Sequence, residues 1–334
     1  MTVTPQTNVT LESMADVIRT HDDFVICGHV SPDGDCIGSQ LALWHALAAL
    51  GKNATCLLVK DDPLPASLTF LPGAEDMVPA VRFTGKAQTF IGLDVPSRER
   101  VGEAACDILD SCSCSVTIDH HAYPTTMCEY VYVDPDSASA SMLVWKLVTL
   151  LCEDAPMESA LCAYTGLVTD TGGFRYQNTD KHAFEIASEL VARGVDVSHV
   201  ANCVFQNRTY ASMMLESLAV SRMITNESGD YALSWITKND MQEHAAKKYD
   251  TEPLIDALRS LQGVRVACMM REEDGKTRIS LRAKDDTDVS TLARKLGGGG
   301  HRAAAGATLD VPIDQAIEFM CEQLDMLTGE QGAE

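Results

Sequence analysis

The sequence predicts an α/β protein in two parts: an N-terminal, mainly parallel sheet with flanking helices, and a smaller C-terminal α+β domain, joined by a helical connector. Three observations predict it. Short apolar runs alternate with helix-length segments through the first half, as βαβ units do. After about residue 225 that alternation gives way to closely spaced strand patterns. The chain has 334 residues, of which 46% are hydrophobic, enough for two cores. The expected divisions are 1–200 for the first domain, 201–225 for the connector and 226–334 for the second domain.

The elements follow in order. "FVICGHV" (24–30) is a short apolar run, read as a buried strand. "IGSQLALWHALAALG" (37–51) has apolar residues at helical spacing and stops on Gly51. "NATCLLV" (53–59), "TFIGLDVP" (89–96) and "SVTIDHH" (115–121) read as further strands. Helices are expected over 137–151, 157–172 and 181–194, and over 209–223 as the connector. In the second domain 231–237, 265–273 and 276–284 read as strands, the last two joined by the turn "EDGK". A short helix "DVSTLARKL", a glycine run and a C-terminal helix from about Asp314 complete the chain.

Composition narrows the function. The formal net charge is −22, which opposes tight binding of long DNA or RNA, since that affinity comes from Lys and Arg neutralising phosphates. A small anionic ligand held by metal ions and a few local cations stays open. No apolar run approaches membrane-spanning length, and the N-terminus has no basic segment followed by an apolar one. The expectation is therefore no membrane association and a cytoplasmic location. Most of the 12 Cys lie singly in apolar segments, so they read as reduced structural thiols.

Metal-competent side chains recur where the predicted strands end. His29, Asp33 and Asp35 follow the first strand, Asp94 closes another, Asp119, His120 and His121 close a further one, and Asp170 follows an apolar helix. Ligands in open parallel sheets bind outside the carboxyl ends of strands, so these segments converge. Taken singly, each has a bland explanation. Asp33-Gly34 is an ordinary turn dipeptide, Asp136 is placed to cap the 137–151 helix, and His45, His182 and His199 read as packed or surface residues. As a set, His29, Asp33, Asp35, Asp94, His120 and Asp170 exceed what one catalytic zinc needs and suit two divalent ions sharing a carboxylate. Four carboxylates with two imidazoles favour Mn²⁺, with Mg²⁺, Fe²⁺ or Co²⁺ also admissible.

A second signal is "GGGGHRAAAG" (297–306). Glycines expose backbone N–H groups to an anion, His301 and Arg302 add donors, and "RAAAG" can start a helix whose N-terminus favours phosphate.

The motifs "HVSPDGDCIGS", "GLDVP", "TIDHH", "GLVTDTGGF" and "GGGGHRAAAG", in this order, resemble those of the DHH phosphoesterase superfamily carrying the DHHA1 C-terminal domain. The compact two-domain nanoRNase and 3′-phosphoadenosine-5′-phosphate (pAp) phosphatase group is the most similar. The resemblance implies a hydrolase with two Mn²⁺ ions. It places one ion on His29, Asp33 and Asp94 and the other on Asp35, Asp94, His120 and Asp170, with Asp94 bridging. It makes Asp119 an orienting residue behind the metals. His121 contacts the scissile phosphate or assists protonation of the leaving oxygen. Arg282 and His301 grip the terminal phosphate or nucleotide, with backbone donors from Gly299 and Gly300. Short RNA or small nucleotides are the implied substrates, and a homodimer is among the admissible assemblies. A soluble cyclic-di-AMP or pApA phosphodiesterase is the alternative activity, an inorganic pyrophosphatase ranks third, and a nucleotide-binding regulatory module is the non-enzymatic alternative.

Overall fold

The apolar runs seen in the sequence become the central strands of a parallel sheet. The computed structural model describes residues 7–121 and 127–329, except for the side chain of His301. The chain divides into two units between Asn207 and Arg208, inside the segment read as a connector. In the first unit the strands are β1 (Phe24–Cys27), β2 (Ala54–Leu58), β3 (Val78–Pro79), β4 (Thr89–Leu93), β5 (Cys114–Asp119) and β6 (Tyr130–Val133). Their order is β3-β2-β1-β4-β5-β6, and every pairing is parallel. Cys27, the last residue of β1, faces Leu57 on one side and Gly92 on the other.

The helices of this unit are α1 (Leu11–Thr20), α2 (Gly34–Ala49), α3 (Arg98–Val101), α4 (Glu103–Ser111), α5 (Ala140–Leu151), α6 (Met157–Asp170), α7 (Lys181–Ala192) and α8 (Val197–Phe205). Alternate residues of the buried strands face different layers, as the period of two requires. Ile26, Ile91 and Ile118 pack with Ile37, Leu41, Trp145 and Leu167. Val25, Cys27 and Phe90 pack with Val101, Ala105 and Leu109. Burial on both faces explains why these strands read as unbroken apolar runs rather than as alternation.

The α2–α6 contact positions the site. The two helices approach closely because glycines line the crossing: a Cβ at Gly38 would lie 2.5 Å from the Cys162 carbonyl oxygen, and one at Gly166 would lie 2.6 Å from Ser141 Oγ and 2.9 Å from Asp35 Oδ1. The start of α2 is thereby held beside the end of α6.

The second unit begins with α9 (Tyr210–Ser221) and continues with β7 (Ile224–Thr225), β8 (Tyr231–Ile236), α10 (Lys238–Glu243), α11 (Leu254–Arg259), β9 (Val266–Glu273), β10 (Lys276–Ala283), α12 (Val289–Lys295), β11 (Gly299–His301), β12 (Ala304–Leu309) and α13 (Ile313–Gly329). The sheet order is β11-β12-β10-β9-β8-β7, with β8 and β9 parallel and the other neighbours antiparallel. Leu233 and Cys268 face the α12 and α13 layer, whereas Ala232 and Ala267 face α9 and α11.

Two local expectations are corrected. "RAAAG" does not start a helix: its alanines begin β12, which pairs antiparallel with both β11 and β10. Gly300, at φ 140, serves that hairpin, because a Cβ there would lie 2.4 Å from the Ala304 carbonyl oxygen. Asp136 does not cap the helix after it. That helix begins at Ala140, and the Ser139 hydroxyl takes the capping position, accepting from the Met142 N–H at 3.2 Å. No described helix is long and apolar enough to cross a membrane, and all 12 cysteines are free thiols.

Candidate metal centre

The first unit's sheet reverses its strand order between β1 and β4, the position where open α/β sheets leave a crevice outside their strand ends. His29 lies just past β1 and Asp94 just past β4, while Asp119 and His120 lie at the end of β5. All four are buried. Asp94 adopts a left-handed backbone, φ 54, uncommon for a residue with a side chain and tolerated best by Asp and Asn. Such strain collects at functional positions.

Asp94 turns its carboxylate to two sides. Its Oδ2 lies 3.4 Å from His29 Nε2, and its Oδ1 lies 3.4 Å from both His120 Nε2 and His121 Nδ1. His120 Nε2 also approaches Asp35 Oδ2 at 3.7 Å and Asp170 Oδ2 at 3.9 Å. The orientation of the His120 ring is set from behind, where Nδ1 lies 3.2 Å from the Ser137 carbonyl oxygen. A proton on Nδ1 leaves Nε2 to face the carboxylates, the tautomer a metal-binding imidazole needs.

The two carboxylates of the opening motif are held differently. Asp33 is the N-cap of α2: its Oδ1 accepts from the N–H groups of Asp35 and Cys36 at 3.1 and 3.0 Å, while Oδ2 lies 3.7 Å from His29 Nε2. Asp35 lies in the first helical turn, not in a loop, and Gly34 is the first helical residue rather than a turn. A Cβ on Gly34 would clash with the Thr169 side chain at 2.3 Å, so its role is close packing. The Asp35 carboxylate accepts from the Ala140 and Ser141 N–H groups at 2.6 and 2.8 Å, anchored by the N-terminus of α5. Asp170 is the reverse case. It is the last residue of α6, where the helix dipole disfavours an anion, and that turn contains no basic residue.

The electrostatics of the cluster call for a cation. Burial, followed by the charges of Asp94 and Asp170, pushes Asp35 well above the usual carboxylate range. Burial likewise raises Asp170, to about 6. Burial disfavours charge on His29 and His120 as well, but Asp33 and Asp94 outweigh it for His29, holding its pKa at about 10, and Asp94, Asp170 and Asp35 hold His120 well above its ordinary value. Asp94 goes the other way: His120 and His29 overcome its burial and hold it well below the usual range. The four carboxylates and two imidazoles of the expected set leave an excess of negative charge that a divalent ion can offset.

The donor set fits such ions. Ligand atoms of His29, Cys36 and Asp94, of Asp94, His120 and His121, and of Asp35, His120 and Asp170 each lie within 4.8 Å of one another. His29 Nδ1 and Asp94 Oδ1 are buried without a hydrogen-bond partner among the described residues. Five of the six expected ligands fall in these groups, and Asp33 borders them through His29. Cys36 was not foreseen. The available signal was its place in the "DGDCIGS" stretch, directly after Asp35. Behind the cluster, Asp119 Oδ1 accepts from the His120 and His121 N–H groups at 2.8 and 3.2 Å, and from His121 Nδ1 at 2.8 Å.

Residues 23–167 match the DHH family, N-terminal domain, and residues 230–329 match the DHHA1 domain. The chain is 31% identical, over 92% of its own length and 91% of the relative's, to the bifunctional oligoribonuclease and PAP phosphatase NrnA of Thermus thermophilus. The chain belongs to the DHH family with a C-terminal DHHA1 domain. This DHH protein is also 26% identical to the Bacillus subtilis protein of the same name, over 88% of the chain and 92% of the relative. A crystal structure of an exopolyphosphatase-related protein from Bacteroides fragilis superimposes with a TM-score of 0.87 at 28% identity, covering 96% of each chain. As a DHH family member it is a hydrolase acting on phosphoester bonds, and the enzymes of this family use divalent metal ions.

The expected substrate residues of the DHHA1 unit lie toward the β11 end of its sheet. Arg282 in β10 and His301 in β11 are both register partners of Ala304, so three adjacent strands carry them in line. The side chain of His301 lies outside the described residues. Arg282 is half-buried, with Nη1 donating to the Leu281 carbonyl at 3.1 Å. Arg302 is exposed and its Nε donates to the Asp286 carbonyl at 2.9 Å. Gly299 and Gly300 belong to β11 and are exposed.

Proposed function

We propose that this DHH protein hydrolyses pAp and oligoribonucleotides of a few residues with two divalent ions, Mn²⁺ foremost, held by His29, Asp33, Asp35, Asp94, His120 and Asp170. The observation that carries the reading is the carboxylate of Asp94, which faces His29 with one oxygen and His120 with the other, each at 3.4 Å. A carboxylate so placed would help hold both ions. When bound, a pair of divalent ions supplies hydroxide at neutral pH and offsets charge on the transferring phosphoryl group.

The chain's own groups do the rest. Asp119 accepts from Nδ1 of His121, which orients the ring so that Nε2 meets the phosphate and, when the ring carries its second proton as imidazolium, hands that proton to the leaving oxygen. Asp35 is held by the two N–H groups at the α5 N-terminus, which orient its carboxylate within the cluster. Arg282, His301, Arg302 and the backbone N–H groups of Gly299 and Gly300 hold the terminal phosphate or nucleotide of the substrate. Near full-length likeness to proteins named for oligoribonuclease and PAP phosphatase activity supports this substrate class. The net charge of −22 supports short substrates over long strands.

The test is a panel of pAp, pApA, short and long RNA, cyclic-di-AMP and pyrophosphate, with Mn²⁺, with Mg²⁺ and after chelation. Turnover of pAp and of di- and trinucleotides with Mn²⁺, lost on chelation, is the expected result. Faster turnover of cyclic-di-AMP than of either would move the assignment to that substrate, and full activity after chelation would remove the metal centre from the reaction.

A further inference from the structure

We propose that Cys36 is a metal ligand, so that the two ion positions differ in chemistry. The position next to β1 would be a mixed imidazole, carboxylate and thiolate site for a thiophilic divalent ion, while the position on Asp35, His120 and Asp170 would be built from oxygen and imidazole donors. The proposal rests on the two-ion reading and assigns it a residue outside the expected ligand set.

Four observations carry it. The ligand atoms of His29, Cys36 and Asp94 lie within 4.8 Å of one another, the only one of the three described groups to contain sulfur. Cys36 is wholly buried, with its Sγ against the backbone of Gly28, where a Cβ would lie only 2.2 Å from the sulfur. That contact places the thiol at the end of β1, one residue before His29. The Cys36 N–H donates to Asp33 Oδ1 at 3.0 Å, so thiol and cap share a single turn. Finally, Gln40 Nε2 approaches Sγ at 3.6 Å as a donor, an arrangement suited to an electron-rich sulfur. Within the same group, the buried His29 ring keeps its Nδ1 without a hydrogen-bond partner among the described residues. The remaining fully buried cysteines, Cys27, Cys162 and Cys268 among them, appear in no such group.

Coordination replaces the S–H bond with a sulfur–metal bond and releases one proton to solvent. A thiolate shifts preference toward Zn²⁺, Co²⁺ or Fe²⁺ and away from Mn²⁺, which favours oxygen donors. At the other position no sulfur is present among the described groups, and that preference does not arise. The chain would then work with two different ions, or lose activity when a thiophilic ion displaces Mn²⁺ from one position.

Cobalt reports the bond directly, because thiolate coordination gives a sulfur-to-cobalt charge-transfer absorption in the near ultraviolet. The metal-free full-length protein is titrated with Co²⁺, alongside Cys36→Ser and Cys36→Ala. The wild type should show the charge-transfer band, and both variants should lose it while still binding Co²⁺ and keeping their circular dichroism. In competition, the preference for Cd²⁺ over Mn²⁺ should fall about tenfold or more in Cys36→Ser, in line with the effect of altering groups around a metal. Cobalt binding by the wild type without the band overturns this proposal and leaves the two-ion reading standing. A band of equal strength in both variants also overturns it, since another thiol would then be the donor. Failure to bind any divalent ion would remove both readings together.

Discussion

Asp119 Oδ1 accepts a hydrogen bond from His121 Nδ1 at 2.8 Å. The same oxygen also accepts from the His120 and His121 backbone N–H groups, so the carboxylate fixes the turn after β5 and the His121 ring together. Asp119→Asn keeps the shape but presents a weaker acceptor, and its amide offers a donor that does not match an N–H. Its kcat is expected to fall by about a hundredfold or more, the usual worth of a positioned acid or base, while metal content stays at the wild-type level. Steady-state kinetics beside elemental analysis checks this. A matching loss of metal would make Asp119 part of the metal-holding structure instead.

Asp94 offers a cleaner test of the bridge. Its left-handed backbone, φ 54, is one that Asn also tolerates, so Asp94→Asn should fold. Removing the charge that faces both His29 and His120 should leave well below two ions per chain, by elemental analysis after equilibrium dialysis. Two full equivalents with unchanged activity would put the bridge elsewhere.

The α2–α6 crossing predicts a stability effect away from any ligand. Gly38→Ala places a methyl 2.5 Å from the Cys162 carbonyl oxygen, a backbone atom that cannot swing aside. Overpacking of this kind costs roughly 1–3 kcal/mol. Denaturant unfolding should show that loss. Because the crossing holds Asp35 beside Asp170, turnover should fall as well, even at temperatures where the variant stays folded.

A pH effect is expected in the DHHA1 unit. Asp240, nearly buried, receives a two-pronged contact from Arg222 at 2.5 and 2.8 Å. That contact, against the burial that opposes it, holds its carboxyl down from 3.8 to about 2. A depressed carboxylate stabilises the fold at pH values above its unfolded pKa, and the contribution disappears as pH falls through the folded value. Wild-type protein should therefore lose up to about 2 kcal/mol between roughly pH 4.5 and pH 2 from Asp240, with Arg222 the largest contributor beside the Thr237 N–H and hydroxyl that also donate to it. Arg222→Met should be less stable near neutrality and show a shallower acid decline. Parallel slopes would mean the pair contributes nothing.

Arg282→Ala separates substrate grip from chemistry. Turnover of pAp and dinucleotides should drop strongly, since binding energy from a remote part of a substrate can align the scissile group. Bis-p-nitrophenyl phosphate, which has no terminal phosphate or second nucleoside, should be much less affected. Equal losses on both substrates would make Arg282 a structural residue of β10.

Much of this was legible along the chain. The buried strands ending at Cys27, Leu93 and Asp119 announced themselves because strands covered on both faces are continuous apolar runs. The metal-competent residues were legible because their types and their places after those runs are properties of the sequence. Tertiary structure alone decided what touches what. Strand order, and with it the reversal point between β1 and β4, depends on pairings that local patterns do not encode. The capping of α5 by Ser139 rather than Asp136 depended on where the chain turns after β6. The glycine run was read as an anion-binding loop, and only the fold shows that Gly299 and Gly300 also form β11 and pair with β12. Cys36 joined His29 and Asp94 only because Gly28 lets the sulfur lie against the end of β1. Sequence periodicity reports which face of an element is buried. It does not report the neighbour that buries it, and a binding site is a set of neighbours.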